Sequence, residues 1–137
     1  MALAFSRTAV EKFSQATDPK KAILEHIGDI SKEEILSNAV LVAIFIRPEK
    51  TVGGIIRPGS NVQEDLWQGK TGLVLKLGPD AFKDRDEHKF NGYSLKVGDW
   101  VAFRINDSWM LEVKNTPCRL VQDINIKMKL SDPSIVF

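Results

Sequence analysis

Residues 39–46, Ala-Val-Leu-Val-Ala-Ile-Phe-Ile, are an unbroken apolar run rich in β-branched side chains. A run this short and this branched fits a strand buried on both faces, not an amphipathic helix. The segments that follow repeat the theme. Thr71-Gly72-Leu73-Val74-Leu75-Lys76-Leu77 stops at Gly78-Pro79, Trp100 to Arg104 follows Gly98-Asp99, and Trp109 to Val113 comes next. A last stretch from Cys118 to Met128 alternates through Leu120, Gln122, Ile124 and Ile126 with interruptions. Short strands separated by turn residues predict a mainly β fold, a small β-barrel over residues 39–130.

Upstream of residue 39 the pattern is helical. Asp18 is placed to cap a helix, Pro19 suits its first turn, and Gly28 can close it, so the spacing predicts a helix over about 19–27 carrying Ile23, Leu24 and Ile27. Ser31 and Glu34 have capping-box spacing for a further short turn bearing Ile35 and Leu36. Residues 1–38 thus read as an N-terminal helical arm in pieces. Its few apolar residues cannot form a core, leaving two expectations: a lid on its own barrel or an arm between subunits.

The 137 residues suffice for one domain with a core of its own. A net charge of +1, with Lys and Arg interspersed among Asp and Glu, argues against nucleic acid as partner. No apolar run approaches bilayer-spanning length, so no membrane partner is expected. A single cysteine, Cys118, and no closely spaced histidines leave no disulfide and no metal-site spacing, which fits cytoplasmic production. No cofactor and no catalytic residue are expected. His26 and His88 lack an acid partner at local spacing, and there is no nucleophile motif and no phosphate-cradling loop. The mixed-charge run within residues 80–94 reads as a solvated loop or hairpin, with a salt-bridged rim between subunits as the alternative.

Residues 49–59, Glu-Lys-Thr-Val-Gly-Gly-Ile-Ile-Arg-Pro-Gly, stand between two buried strands. Gly53 and Gly54 permit backbone shapes that side chains forbid, whereas adjacent Ile55 and Ile56 in a polar loop need an apolar surface to cover them. This is a docking loop, within residues 49–70. Folding back onto its own barrel is the alternative. The tail, residues 131–137, ends in Ile135, Val136 and Phe137, a further candidate contact on the chain itself or on a neighbour.

The order of these elements resembles the GroES co-chaperonin family over roughly residues 39–128: an apolar strand, the Gly-Gly-Ile-Ile loop, Gly72-Leu73-Val74-Leu75-Lys76-Leu77-Gly78, a polar turn, and Lys96-Val97-Gly98-Asp99-Trp100-Val101. The last of these looks like that family's Val-Gly-Asp turn. The resemblance implies a GroES-like barrel and a ring-forming homo-oligomer. It also implies that Gly53, Gly54, Ile55 and Ile56 lie in the mobile loop that inserts aliphatic side chains into a chaperonin ring. Gln122-Asp123-Ile124 resembles the closing strand, whose pairing with a neighbour's first strand builds the ring.

Several features depart from that family. The arm and tail extend both ends. Arg57 and Pro58 stand where the loop motif continues with a third aliphatic residue, and Trp67 enlarges a loop that is ordinarily small and polar. Each departure adds contact surface. On that ground the first expectation is a viral capsid decoration protein, a virion component that contacts major capsid protein subunits through Gly53, Gly54, Ile55, Ile56, Arg57 and Trp67 and through its termini. The alternative is a cytoplasmic co-chaperonin that caps a chaperonin ring through the same loop.

Overall fold

A computed structural model describes residue 13 and residues 17–47 and 70–136. The arm's helix, α1, spans Pro19–Ile27 as its caps require. The Asp18 carboxylate accepts from the Lys21 N–H at 3.2 Å, Pro19 opens the helix, and Gly28 closes it at φ 66° with its N–H donated to the Leu24 carbonyl. Beyond Gly28 the helical expectation fails. Ser31 does not cap a second helix, because its N–H is already held by the Asp29 carboxylate at 2.8 Å; residues 33–36 are irregular.

Among the described residues six antiparallel strands follow: β1 (Ala39–Ile44), β2 (Thr71–Leu77), β3 (Trp100–Phe103), β4 (Ser108–Val113), β5 (Thr116–Gln122) and β6 (Ile126–Leu130). They pair in the order β4-β5-β1-β2-β3-β6, which places β1 and β2 at the centre of the expected small barrel. The stretch 118–128 is therefore two strands. A 3-10 turn at Asp123–Asn125 ends β5 and lets β6 cross over to pair with β3. Gln122, Asp123 and Ile124 accordingly do not form a closing strand: Gln122 pairs with Ala39 of the same chain, and the other two lie in the turn.

Burial on both faces explains the apolar run in β1. Leu41 and Ala43 enter one core with Leu73, Leu75, Trp100 and Cys118, while Val40 and Val42 enter a second with Val74, Val101 and Val121. Ile23 and Ile27 of α1, together with Phe13, join the first core, so the described part of the arm is a lid on its own barrel. Phe45 and Trp100 meet edge-on there, with ring centroids 5.4 Å apart. The second core is covered from within the polar run and just after it: Ala81 and Phe82, and then Leu95, are buried, and Phe90 packs beside them. Residues 80–94 are largely the solvated loop expected, with a tight hairpin at Arg85 and His88, but Ala81, Phe82 and Phe90 turn inward to close the barrel's second face and Arg85 turns in beside them.

One register shift and two glycines shape the turns around the central strands. Between Leu41 and Val42 the pairing with β2 shifts by one residue. The Val-Gly-Asp turn docks beside this irregularity: Val74 donates to the Asp99 carbonyl at 2.9 Å and accepts from Gly98 at 2.8 Å. Gly98 has φ 96°, and the Asp99 carboxylate caps the turn by accepting from the Lys96 N–H at 2.9 Å. At Gly78 the reason is space, since a Cβ there would lie 2.3 Å from the Ser37 carbonyl oxygen.

Candidate partner-binding surface

The connection between β1 and β2 leaves and rejoins the barrel at a fixed base. Phe45 donates to the Thr71 carbonyl at 3.0 Å, Phe103 donates to the Lys70 carbonyl at 2.9 Å, and Ile44 pairs with Gly72. Phe45, Ile46 and Thr71 are all buried. The two stems of the loop are therefore anchored in the first core, close together at one end of the central hairpin. Gly53, Gly54, Ile55, Ile56, Arg57 and Trp67 lie in the segment between these stems, outside the described residues; Phe137, at the end of the tail, is outside them as well.

The tail reaches the barrel. Asp132 accepts from the Ser134 N–H at 2.9 Å to start a 3-10 turn at Pro133–Ile135; Pro133 is buried and Val136 packs against the first core. Ile135, by contrast, is 66% exposed.

Two surfaces escaped sequence reasoning. One follows β6, which pairs with β3 along one side and with no other strand among the described residues. Its Lys127, Met128 and Lys129 are exposed, and beside it a cavity of about 270 Å³ runs between Tyr93, Leu95, Phe90 and Met128. The other is a groove of about 550 Å³ where Trp109 and Leu36, 74% and 70% exposed, flank Leu120. Alternation alone could not find them, because which side of an edge strand stays bare depends on what the rest of the chain covers.

Between β5 and β6 lies the most connected polar group. The Asp123 side chain has no exposure, yet it takes both Arg85 nitrogens at 2.9 and 3.0 Å, the Phe82 N–H at 3.0 Å, the Asn38 amide at 2.9 Å and its neighbour Ile124 N–H at 2.7 Å. Burial pushes the Asp123 carboxyl up, but the Arg85 guanidinium, then the Phe82 N–H and Asn38 amide, outweigh it and hold the group below the usual carboxylate range. Arg85 belongs to the charged run and also lies over the Phe90 ring at 5.6 Å. The sequence signal was an aspartate interrupting an otherwise alternating apolar stretch. The pair is an internal clamp that fixes residues 80–90.

His26 stands edge-on to Phe13 with its Nε2 3.3 Å from the Asn115 carbonyl oxygen, and His88 closes a tight turn with Arg85 through backbone bonds. Among the described residues no group of three or more His, Cys, Asp or Glu side chains could hold a metal. No helix among them is long and apolar enough to cross a membrane.

The family model for the Chaperonin 10 Kd subunit matches residues 32–130, covering all six strands, the Val-Gly-Asp turn and the β1–β2 connection. The chain belongs to this family. A search of curated proteins finds no match. For this chaperonin 10 member, the match begins after α1 and ends before the tail, so both extensions flank the family's barrel.

Proposed function

We propose that this chain is a co-chaperonin, a non-enzymatic ring-forming protein that caps a chaperonin ring through the docking loop at residues 49–70. The observation that carries this reading is the match over residues 32–130. The fixed base of the loop supports it, since anchored stems let Ile55 and Ile56 reach outward without loosening the barrel. Burying each isoleucine in an apolar groove contributes roughly 1.5–3 kcal/mol before ordering costs. One copy would bind weakly. Copies joined in a ring would bind together through effective concentration. The bare edge of β6 is suited to such joining, because its unpaired backbone groups can accept a strand from a second copy. Arg57, where the family's motif runs on with an aliphatic residue, limits each contact to two isoleucines.

The family match favours this reading over capsid decoration, and no residue of the described fold points to major capsid subunits or a virion. The decisive experiment mixes the purified protein with a chaperonin ring, with and without nucleotide, and follows co-sedimentation. Nucleotide-dependent binding is expected, Ile55→Asp should abolish it, and Arg57→Leu should tighten it. Absence of binding, or equal binding by Ile55→Asp, rejects the proposal.

A further inference from the structure

Between α1 and β1 the chain turns its carbonyls toward an ammonium. The Lys76 Nζ, on β2, lies 2.7 Å from the Ile30 carbonyl oxygen and 3.3 Å from that of Ser31, and it donates also to the Glu33 carbonyl. An ammonium carries three donors, and these three carbonyls match that number. A second lysine, Lys114 in the β4–β5 turn, donates to the Asp29 carbonyl. The turn is shaped in advance for this role: Ser31 donates to the Asp29 carboxylate at 2.8 Å and Glu33 donates to the Ile30 carbonyl at 3.1 Å.

Among the described residues the rest of the hold is apolar: Phe13, Ile23 and Ile27 lie in the first core, with Ala22, Ile30 and Ile35 packed against it. At nine residues α1 is too short to persist alone, so it stays helical only while docked. The six strands pair without it, and the family's barrel begins only at residue 32.

We propose that Lys76 is a latch: its ammonium, gripped by the Ile30, Ser31 and Glu33 carbonyls, keeps α1 docked, and α1 with the turn that follows it opens from a barrel that stays folded. Opening uncovers the part of β5 that α1 contacts, in the core against which Leu111 and Val113 also pack and which holds Cys118. Cys118 is fully buried with the arm closed and shares its core with Ile23 and Ile27, so its thiol reports the opening. Any change that neutralises the Lys76 ammonium, acylation included, unlatches the arm. This inference is independent of the chaperonin reading.

The test uses the full chain and the Lys76→Met variant, which keeps the stem and removes the donors. Hydrogen exchange of the α1 amides and maleimide labelling of Cys118 should both accelerate, by about ten- to a hundredfold given the worth of charge-assisted bonds, while the amides of Val42 and Leu73 keep their protection. Lys114→Met, which frees a single carbonyl, should give the same pattern more weakly and carries the test if Lys76→Met does not fold. Unchanged exchange in α1 would overturn the proposal. So would acceleration of arm and barrel amides together, since the arm would then have no opening of its own.

Discussion

Replacing Asp123 by alanine tests the claim that this carboxylate fastens the polar excursion onto the second core. The substitution strands the Phe82 N–H, the Asn38 amide and the Arg85 guanidinium at a site where the carboxylate itself was fully shielded. Each buried donor left without a partner costs about 1–3 kcal/mol, and breaking a buried pair from one side costs about 3–5 kcal/mol in all. For a domain of this size the larger figure corresponds to a fall in Tm of roughly 10–20 °C. Urea unfolding at one fixed protein concentration, which keeps any assembly term constant, gives the number directly. Arg85→Met should cost clearly less than Asp123→Ala, because three other donors still satisfy the carboxylate and the guanidinium is partly exposed. Acid adds a signature. The folded carboxyl titrates below its unfolded value, so its contribution is complete above the unfolded value of about 3.9 and is lost as pH falls through the folded one. Asp123→Asn should flatten that acid limb. A loss under about 1 kcal/mol for Asp123→Ala, or equal losses for Arg85→Met and Asp123→Ala, would refute the hub and leave an ordinary ion pair.

Cys118 sits in the first core, where burial pushes its thiol from 9.0 up to about 12. Stability should therefore be intact below the ordinary thiol value and decline as pH rises from there toward the folded one, and Cys118→Ala should remove that alkaline slope in pH-dependent urea melts. Gly78→Ala should cost about 3 kcal/mol by driving a Cβ into the Ser37 carbonyl; Gly98→Ala, which meets open space at φ 96°, should cost only about 1–2 kcal/mol, and comparable losses would contradict the steric account. Asp18→Ala should lower stability by about 1 kcal/mol at most and raise exchange in the first turn of α1, with no change there if the cap is idle.

The elements legible in the sequence were those with purely local causes. Asp18, Pro19 and Gly28 bounded α1, and β2 ended at Gly78 as the turn chemistry required. The first six residues of the eight-residue apolar run became a central strand buried on both sides, and Phe45 and Ile46 after it are buried too. The Val-Gly-Asp turn was equally readable, because a positive φ at Gly98 and a capping aspartate leave a mark in three residues. Ser31 shows where local reading stops: its capping-box spacing was sound, but Asp29 two residues upstream held its N–H first.

For the candidate site the division is similar. The sequence alone marked Gly53 through Ile56 as a loop with apolar side chains to cover, placed it between two buried strands, and with the Val-Gly-Asp turn supplied the family. Only the tertiary structure decided that the loop's stems are pinned through Phe45 and Phe103, that Arg85 of a solvent-looking run grips a buried aspartate 38 residues away, and that β6 and Trp109 are left bare. The reason is physical. Periodicity, caps and turn residues act over a few positions of chain, whereas burial, pairing of distant donors and exposure of an edge depend on which segments the fold brings together.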